Sequence, residues 1–280
     1  MKTIHAASAG LALLATAITP AFAQSGEEWV GGYYGVYLGA AQSPDDSGSD
    51  SFLFDTDLDG RYGDTVRTAA GADAFSPGFC NGAARTATPD GGCSSNEGGA
   101  DFGLRGGYDW QSGNWVFGVL GEYGTVDVRD AVSAYSTTPA YYTMFRKVDS
   151  LAAIRGRVGM AFGPQSENLL YLTGGWAYAR IDNDFTTSNG ANAFTGNGSS
   201  SADGYQLGLG YERKLTQNFS LGLEYLFTSL DDSDYRVRTG PGTAPATNPF
   251  LIVNPEGTDM RRSDTDFDFD SVRLTANWRF

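Results

Sequence analysis

The last ten residues of the chain constrain its fold more than any other feature. Between residues 271 and 280 every second side chain is apolar, at Val272, Leu274, Ala276, Trp278 and Phe280, and the others are polar. Neighbouring side chains of a β-strand point to opposite faces, so this period of two predicts a strand with one apolar and one polar face.

The same alternation recurs in seven upstream stretches, at 29–41, 103–110, 114–128, 151–162, 169–180, 204–214 and 218–228. Short turns at 111–113, 163–167 and 214–218 alternate with long connections at about 42–98, 129–148, 183–202 and 230–265. Barrels of the bacterial outer membrane show this alternation of short turns at one end and long loops at the other. The sequence therefore predicts an all-β, eight-stranded antiparallel up-and-down transmembrane β-barrel with short periplasmic turns and four long extracellular loops.

Bulky side chains indicate which face of the sheet points outward. One face carries Leu, Val, Tyr, Trp and Phe, and the other carries Gly, Ala, Ser and Thr with isolated Arg and Glu. The interior of an eight-stranded barrel is just wide enough for side chains to fill, so bulky aromatics would overfill it. Aromatics also lie beside the short turns, as in a membrane girdle. A soluble lipocalin-like barrel or a sandwich is the alternative.

Residues 1–23 have the parts of a secretory signal peptide. Lys2 supplies the positive charge, residues 6–18 form a short apolar run, and Ala21-Phe22-Ala23 is a small-x-small cleavage site. We place the mature start at Gln24 and treat residues 24–280 as one barrel domain. A retained membrane anchor is the alternative, although the run is shorter than the about 20 residues that a spanning helix needs.

The predicted export of the chain indicates the state of its cysteines. Cys80 and Cys93 are the whole cysteine content, and an even pair in an exported protein predicts a disulfide. Metal binding is the rival interpretation, but the spacing is not that of a metal site.

The formal net charge of −14 argues against nucleic acid as a partner, because phosphate contacts need a basic surface.

Three stretches resemble a known family: WVGGYYGVYLGAA at 29–41, GLGYERKLTQNFSLGLEYLF at 208–227 and FDFDSVRLTANWRF at 267–280. They are similar to small outer-membrane β-barrel proteins of Gram-negative bacteria, in particular to alphaproteobacterial, porin-like major surface proteins related to the OmpA-type transmembrane domain. The resemblance implies contact with outer-membrane lipid and lipopolysaccharide. Trp278 and Phe280 resemble the family's recognition signal for the barrel-assembly machinery. Because the chain stops at the last strand, we expect no peptidoglycan-binding domain.

The inward face carries charged residues at mid-strand. We expect an interior network of Arg105, Glu122, Arg155, Arg157, Glu212, Glu224, Arg273 and Arg279, with Asp101 and Asp109 nearer the strand ends. Buried charges must be paired, since an unpaired one costs on the order of several kcal/mol. We place Glu224 and Arg273 at similar heights on neighbouring strands. Such a network predicts a polar plug, and a gate that opens a narrow water path is the alternative.

Enzyme chemistry is disfavoured by the lack of histidine. The only one, His5, lies in the signal peptide, so the mature chain has no Ser-His-Asp or Cys-His arrangement. The small outer-membrane barrel enzymes rely on a histidine. Paired carboxylates remain an alternative, but no local pattern selects a pair. We expect no catalytic residues and no organic cofactor.

The first long loop contains half of a calcium-binding pattern. Asp55, Asp57 and Asp59 offer oxygen ligands at alternate positions, and Gly60 stands at position six. The twelfth position is Val66, where such loops have Glu. Calcium binding by the three aspartates is therefore a hypothesis, and a solvated acidic loop is the alternative.

These observations predict an outer-membrane surface protein that contributes to envelope integrity and surface interaction. A small porin-like diffusion channel for ions or small solutes is one alternative. An adhesin acting through its loops is another. Binding residues concentrate on loops held by a rigid scaffold, so an extracellular ligand would bind there.

Overall fold

The structure, a computed structural model, describes residues 29–43 and 50–280 as a closed barrel beneath a folded cap. The predicted signal peptide, 1–23, lies outside the described residues. The strands, in chain order, are β1 (Gly31–Gln42), β2 (Phe52–Asp55), β3 (Gly78–Asn81), β4 (Ala83–Ala84), β5 (Cys93–Ser94), β6 (Gly99–Ser112), β7 (Trp115–Val126), β8 (Arg129–Ser136), β9 (Ala140–Phe162), β10 (Asn168–Thr187), β11 (Ala193–Gly196), β12 (Ser200–Lys214), β13 (Phe219–Asp231), β14 (Val237–Gly240), β15 (Thr258–Arg262) and β16 (Asp266–Arg279), with a 3-10 helix at Pro89–Gly91.

Eight antiparallel strands close the barrel, as predicted. Around the ring they are β1, β6, β7, β9, β10, β12, β13 and β16, and β16 pairs with β1 to close it. Short turns join the strands at one end, and Gly113 in the turn between β6 and β7 has a φ of 60°, which favours glycine. Among the described residues, no helix has the length and apolar character needed to cross a membrane.

The outer surface of the barrel is apolar. Leu38, Leu104 and Leu274 are each more than 60% exposed on different strands. Aromatic side chains form one row near the short turns, with Trp110, Trp115, Phe162, Tyr211 and Trp278. A second row near the other end contains Tyr123, Trp176, Tyr178 and Tyr205. An apolar band between two aromatic girdles is the lipid-facing surface of a transmembrane barrel.

The inner surface differs from the expected lining of small polar residues. In the half of the barrel nearer the cap, apolar side chains fill the lumen: Val126, Val148, Leu151, Ile181, Leu230, Phe267 and Phe269. Phe267 and Phe269 share the inward parity of Arg273 on β16, so the alternating pattern itself places them inside. The lumen therefore has an apolar layer above its charged layer.

Above the barrel the four long connections fold into a cap. The strands β11, β14, β15 and β2 form an antiparallel sheet in which Arg262 lies opposite Phe52. β8 forms a hairpin with the beginning of β9, and β3 pairs with the free edge of β8. These elements enclose an apolar core that includes Phe54, Phe75, Val132, Tyr142, Met144, Val237 and Met260.

The cap is where the structure departs most from the sequence-based expectation. The sequence predicts loops at 42–98, 129–148, 183–202 and 230–265, whereas each of these segments contains strand residues. At 129–148, β8 and β9 leave only 137–139 between them. Most of the cap strands have five residues or fewer, too few for an alternation to be visible, and they pair with partners distant in sequence.

Candidate functional site: the barrel interior and its cap

Two buried glutamates organise the centre of the lumen. Glu224 on β13 accepts hydrogen bonds from Arg155 Nη2 at 3.0 Å and from the Tyr171 hydroxyl at 2.8 Å. Glu122 on β7 lies 2.7 Å from Arg155 Nη2 and 3.1 Å from Arg273 Nη1. Arg105 lies 3.5 Å from both glutamates. These side chains have almost no solvent exposure, so the charges balance one another inside the barrel.

Two arginines reach across an entire strand to their partners. Arg273 on β16 donates to Asp101 on β6 at 2.5 Å, passing Gly39 on the intervening β1. Arg157 on β9 donates from Nε to Asp109 on β6 at 2.8 Å, passing Gly118 on β7. A Cβ on Gly118 would lie 2.0 Å from Asp109 Oδ1 and 3.1 Å from Arg157 Cγ. Gly118 therefore leaves the space that the Arg157–Asp109 pair occupies, and Gly39 lies on β1 directly between Arg273 and Asp101.

The periplasmic end of the lumen is closed by a second group of contacts around Glu212. Its carboxylate accepts from Arg157 Nη1 at 2.9 Å and lies 3.4 Å from Arg279 Nη2. Below them lies Trp29, fully buried, whose indole Nε1 donates to the Ser166 carbonyl at 2.7 Å. The Arg279 guanidinium lies over the Trp29 ring, 4.7 Å from its centroid.

The eight residues predicted for the network all lie in the lumen. Glu224 and Arg273 are opposite each other in register, as expected. They do not pair with each other, because Glu224 binds Arg155 and Arg273 binds Asp101. Asp101 and Asp109 are main partners of the arginines. The aromatic contacts were not predicted from the sequence: the Arg273 guanidinium lies 4.3 Å from the centre of the Tyr37 ring, and that of Arg157 lies 4.9 Å from the Tyr33 ring. Both tyrosines occupy odd-numbered positions of β1, as do Gly35 and Gly39, so they share the inward face of the strand. This alternation was the sequence signal that could have placed them in the lumen.

A separate ion cluster that the sequence did not predict lies beneath the cap. Arg262 Nη2 donates to Asp50 at 2.6 Å and to Asp130 at 2.8 Å, and Arg146 Nε donates to Asp130 at 2.7 Å. Burial alone would raise the pKa of the Asp130 carboxyl, but the Arg262 and Arg146 guanidiniums outweigh it and hold that pKa below its usual value. The cluster ties three of the four connections to one another.

The predicted calcium ligands are only partly brought together. Asp55 and Asp57 have carboxylate oxygens within 4.8 Å of each other and of Asp64, which takes the place that the sequence assigned to Asp59. The Asp59 carboxylate instead accepts from the Arg61 N–H at 2.8 Å. The Gly60 N–H donates to Asp55, at 2.8 Å. Backbone donors of this kind are typical of aspartates that stabilise a turn.

The remaining predicted residues lie at opposite ends of the molecule. Cys80 and Cys93 form a disulfide between β3 and β5 in the cap, with the Tyr135 hydroxyl 3.4 Å from both sulfur atoms. Trp278 packs beside Phe219 on the outer face, and Phe280 is 75% exposed at the periplasmic rim.

Comparisons with known proteins agree with this architecture. A family model described as the outer membrane protein beta-barrel domain matches residues 9–280. The 31 kDa outer-membrane immunogenic protein of Brucella melitensis biotype 1 is 29% identical over 134 residues, which is 48% of this chain and 55% of that protein. The 22 kDa outer membrane protein of Rhizobium leguminosarum bv. viciae is 31% identical over 135 residues, or 48% of this chain and 54% of that protein. The chain thus spans about half the length of these curated relatives.

The crystal structure of OprG from Pseudomonas aeruginosa is similar with a TM-score of 0.51 and 13% sequence identity, covering 92% of this chain and 100% of that one. At that identity the likeness shows the fold alone. The match over nearly the whole chain places the protein in the outer membrane protein beta-barrel domain family. It is an outer-membrane β-barrel protein of Gram-negative type.

Proposed function

We propose that the protein is a sealed barrel that contributes to envelope integrity and holds its cap rigidly outside the cell for surface interaction. The observation that carries the proposal is the complete burial of the Arg105, Arg155 and Glu224 side chains at the centre of the lumen. A conducting pore keeps its central side chains in contact with water. Here the charged layer lies between an apolar layer toward the cap and Trp29 toward the periplasm.

The same contacts support a non-enzymatic role. Each interior carboxylate faces one or more arginines and is buried. A general acid or base must reach a substrate, and these carboxylates are held by arginines and by other buried side chains of the lumen. The mature chain that we predict also has no histidine.

Planar-bilayer recording of the refolded full chain tests the sealed barrel. We expect no steady single-channel steps, with heat-modifiable gel migration as the check that the barrel is folded. A general porin in the same bilayer is the positive control. Reproducible steps from the folded protein would contradict the proposal and favour the diffusion channel.

The adhesin alternative draws support from the cap, because its buried core fixes the positions of the four connections. Deletion of residues 42–98 tests it. Loss of binding to a host cell or matrix surface, with the heat-modifiable barrel intact, would favour an adhesin. Unchanged binding would reject the first connection as the binding element.

A further inference from the structure

All four extracellular connections meet at one pocket of about 280 Å³ in the cap. Phe75 comes from the first connection, Tyr142 from the β8–β9 hairpin, Asn189 from the third connection, and Asn248 and Phe250 from the fourth. We propose that this pocket binds an uncharged saccharide of one or two rings. The inference rests on the proposed function, because such a ligand reaches the pocket only when the cap is displayed outside the cell.

Aromatic rings form the base of the pocket. The Phe75 ring lies edge-on to Tyr142, with centroids 5.3 Å apart, and edge-on to Phe250, at 5.8 Å. Tyr142 and Phe250 are also 5.8 Å apart. These rings belong to the cap core and are almost fully buried. These rings leave little open ring face, and they give the pocket a rigid, apolar floor against which the C–H groups of a small sugar can lie.

The rim of the pocket supplies neutral hydrogen-bonding groups. Hydroxyls come from Ser136, Thr137, Thr138 and Ser188. The amides of Asn189 and Asn248 also line the pocket, but the Asn189 amide is already fully hydrogen-bonded within the protein, so the hydroxyls are the main partners for a ligand. Within the described part of the chain, no charged side chain lines this pocket, although the whole sequence has 33 acidic and 19 basic residues. A charged ligand would find no partner of opposite sign here. A saccharide combines hydroxyls with apolar C–H faces and carries no charge.

The amides are fixed before any ligand arrives. Asn189 Nδ2 donates to the Tyr142 hydroxyl at 3.0 Å and to Asn192 Oδ1 at 3.0 Å. Asn248 Nδ2 donates to the same Asn192 oxygen at 3.1 Å. This network joins the third connection to the fourth across the pocket wall. Pre-organised walls reduce the ordering entropy that binding must overcome.

The size of the pocket limits the ligand. Pockets for drug-sized molecules are about 300–1,000 Å³, so 280 Å³ holds a small ligand. A long polysaccharide would contact the pocket only through one or two of its rings. We therefore test mono- and disaccharides first.

Saturation-transfer NMR on the refolded full chain tests the inference, in a zwitterionic detergent because sugar-headed detergents would compete. The panel contains glucose, galactose, mannose, N-acetylglucosamine and their β-linked disaccharides, with glucuronate and glucosamine as charged probes. We expect saturable transfer to at least one neutral sugar and at least tenfold weaker binding of the charged probes. No saturable transfer to any neutral sugar, or equal binding of the charged probes, would overturn the inference.

Pocket-filling variants locate the binding. Ala191 lines the pocket with an exposed side chain, and Ala191→Trp should weaken sugar binding at least tenfold. Thr195→Trp, exposed on β11 outside the lining, is the matched control and should change binding less than twofold. Thr138→Trp is the second filling variant if Ala191→Trp does not fold. Equal effects of filling and control variants would refute the location.

Two failures remain distinguishable. A barrel that is silent in the bilayer but binds no neutral sugar overturns the saccharide site and leaves the sealed barrel standing. A barrel that conducts but binds sugar at the pocket overturns the sealed barrel alone.

Discussion

Replacing Glu224 with Gln should strongly destabilise the barrel. The glutamine keeps the shape of the side chain and can still accept from the Tyr171 hydroxyl, now at 2.8 Å. It removes the negative charge of Glu224, which together with that of Glu122 balances the Arg105 and Arg155 guanidiniums. A single buried glutamate, Glu122, would then face both guanidiniums, whose side chains have no solvent exposure.

The size of the effect follows from the burial of the pair. Removing one partner of a buried ion pair costs about 3–5 kcal/mol, because the other charge is left uncompensated. With a urea dependence of about 3 kcal/mol per M, a loss of about 4 kcal/mol lowers the unfolding midpoint by roughly 1.3 M. Urea titration of the refolded protein in detergent micelles, followed by tryptophan fluorescence, measures this midpoint.

A matched control separates the buried charge from a general effect of the substitution. Glu97 is exposed in the cap, so Glu97→Gln should leave the midpoint unchanged. If Glu224→Gln fails to refold, the double variant with Arg105→Met removes one buried positive charge as well as the negative one. It should therefore refold better than the single variant. A midpoint shift for Glu224→Gln equivalent to less than about 1 kcal/mol, the range of solvated surface pairs, would refute the buried network.

Three further perturbations address separate parts of the molecule. Gly118→Val should lower the unfolding midpoint by a similar amount, since a side chain there enters the space of the Arg157–Asp109 pair; an unchanged midpoint would contradict the crossing geometry. The lowered pKa of Asp130 gives a stabilisation that is present above the unfolded pKa of about 4 and is lost as pH falls through the folded value. Hydrogen exchange in 129–147 should therefore accelerate below about pH 4, and Asp130→Asn should remove that dependence. Reducing Cys80–Cys93 should destabilise the first connection by about 3 kcal/mol, seen as faster proteolysis of the cap with an intact heat-modifiable barrel.

The barrel could be predicted because its determinants are local. A period of two needs only the order of residues within one strand, and the alternation of short and long connections fixes the up-and-down order. The height match of Glu224 and Arg273 also followed from counting along two neighbouring strands. Their actual partners did not, because an arginine side chain can cross a glycine on the next strand and reach the strand beyond it.

The cap could not be predicted for the opposite reason. Its sheet pairs Phe52 with Arg262, and its ion cluster joins Asp50 to the same arginine. Such contacts depend on how the barrel brings distant connections together, and no local pattern encodes them. The shift of the acidic cluster from Asp59 to Asp64 has a similar cause, since the chain turns back on itself after Gly60 and a backbone bridge joins Phe54 to Asp64.

The lumen and the rest of the chain differ in their balance of charge. Inside the barrel, five arginines are balanced by five acids: Arg105, Arg155, Arg157, Arg273 and Arg279 pair with Asp101, Asp109, Glu122, Glu212 and Glu224. The formal net charge of −14 therefore belongs to the rest of the chain. Among the described residues, the pocket in the cap is lined only by neutral groups, so it offers a charged ligand no partner of opposite sign. The paired charges that fill the lumen give the barrel rigidity, which a pocket assembled from four separate connections requires.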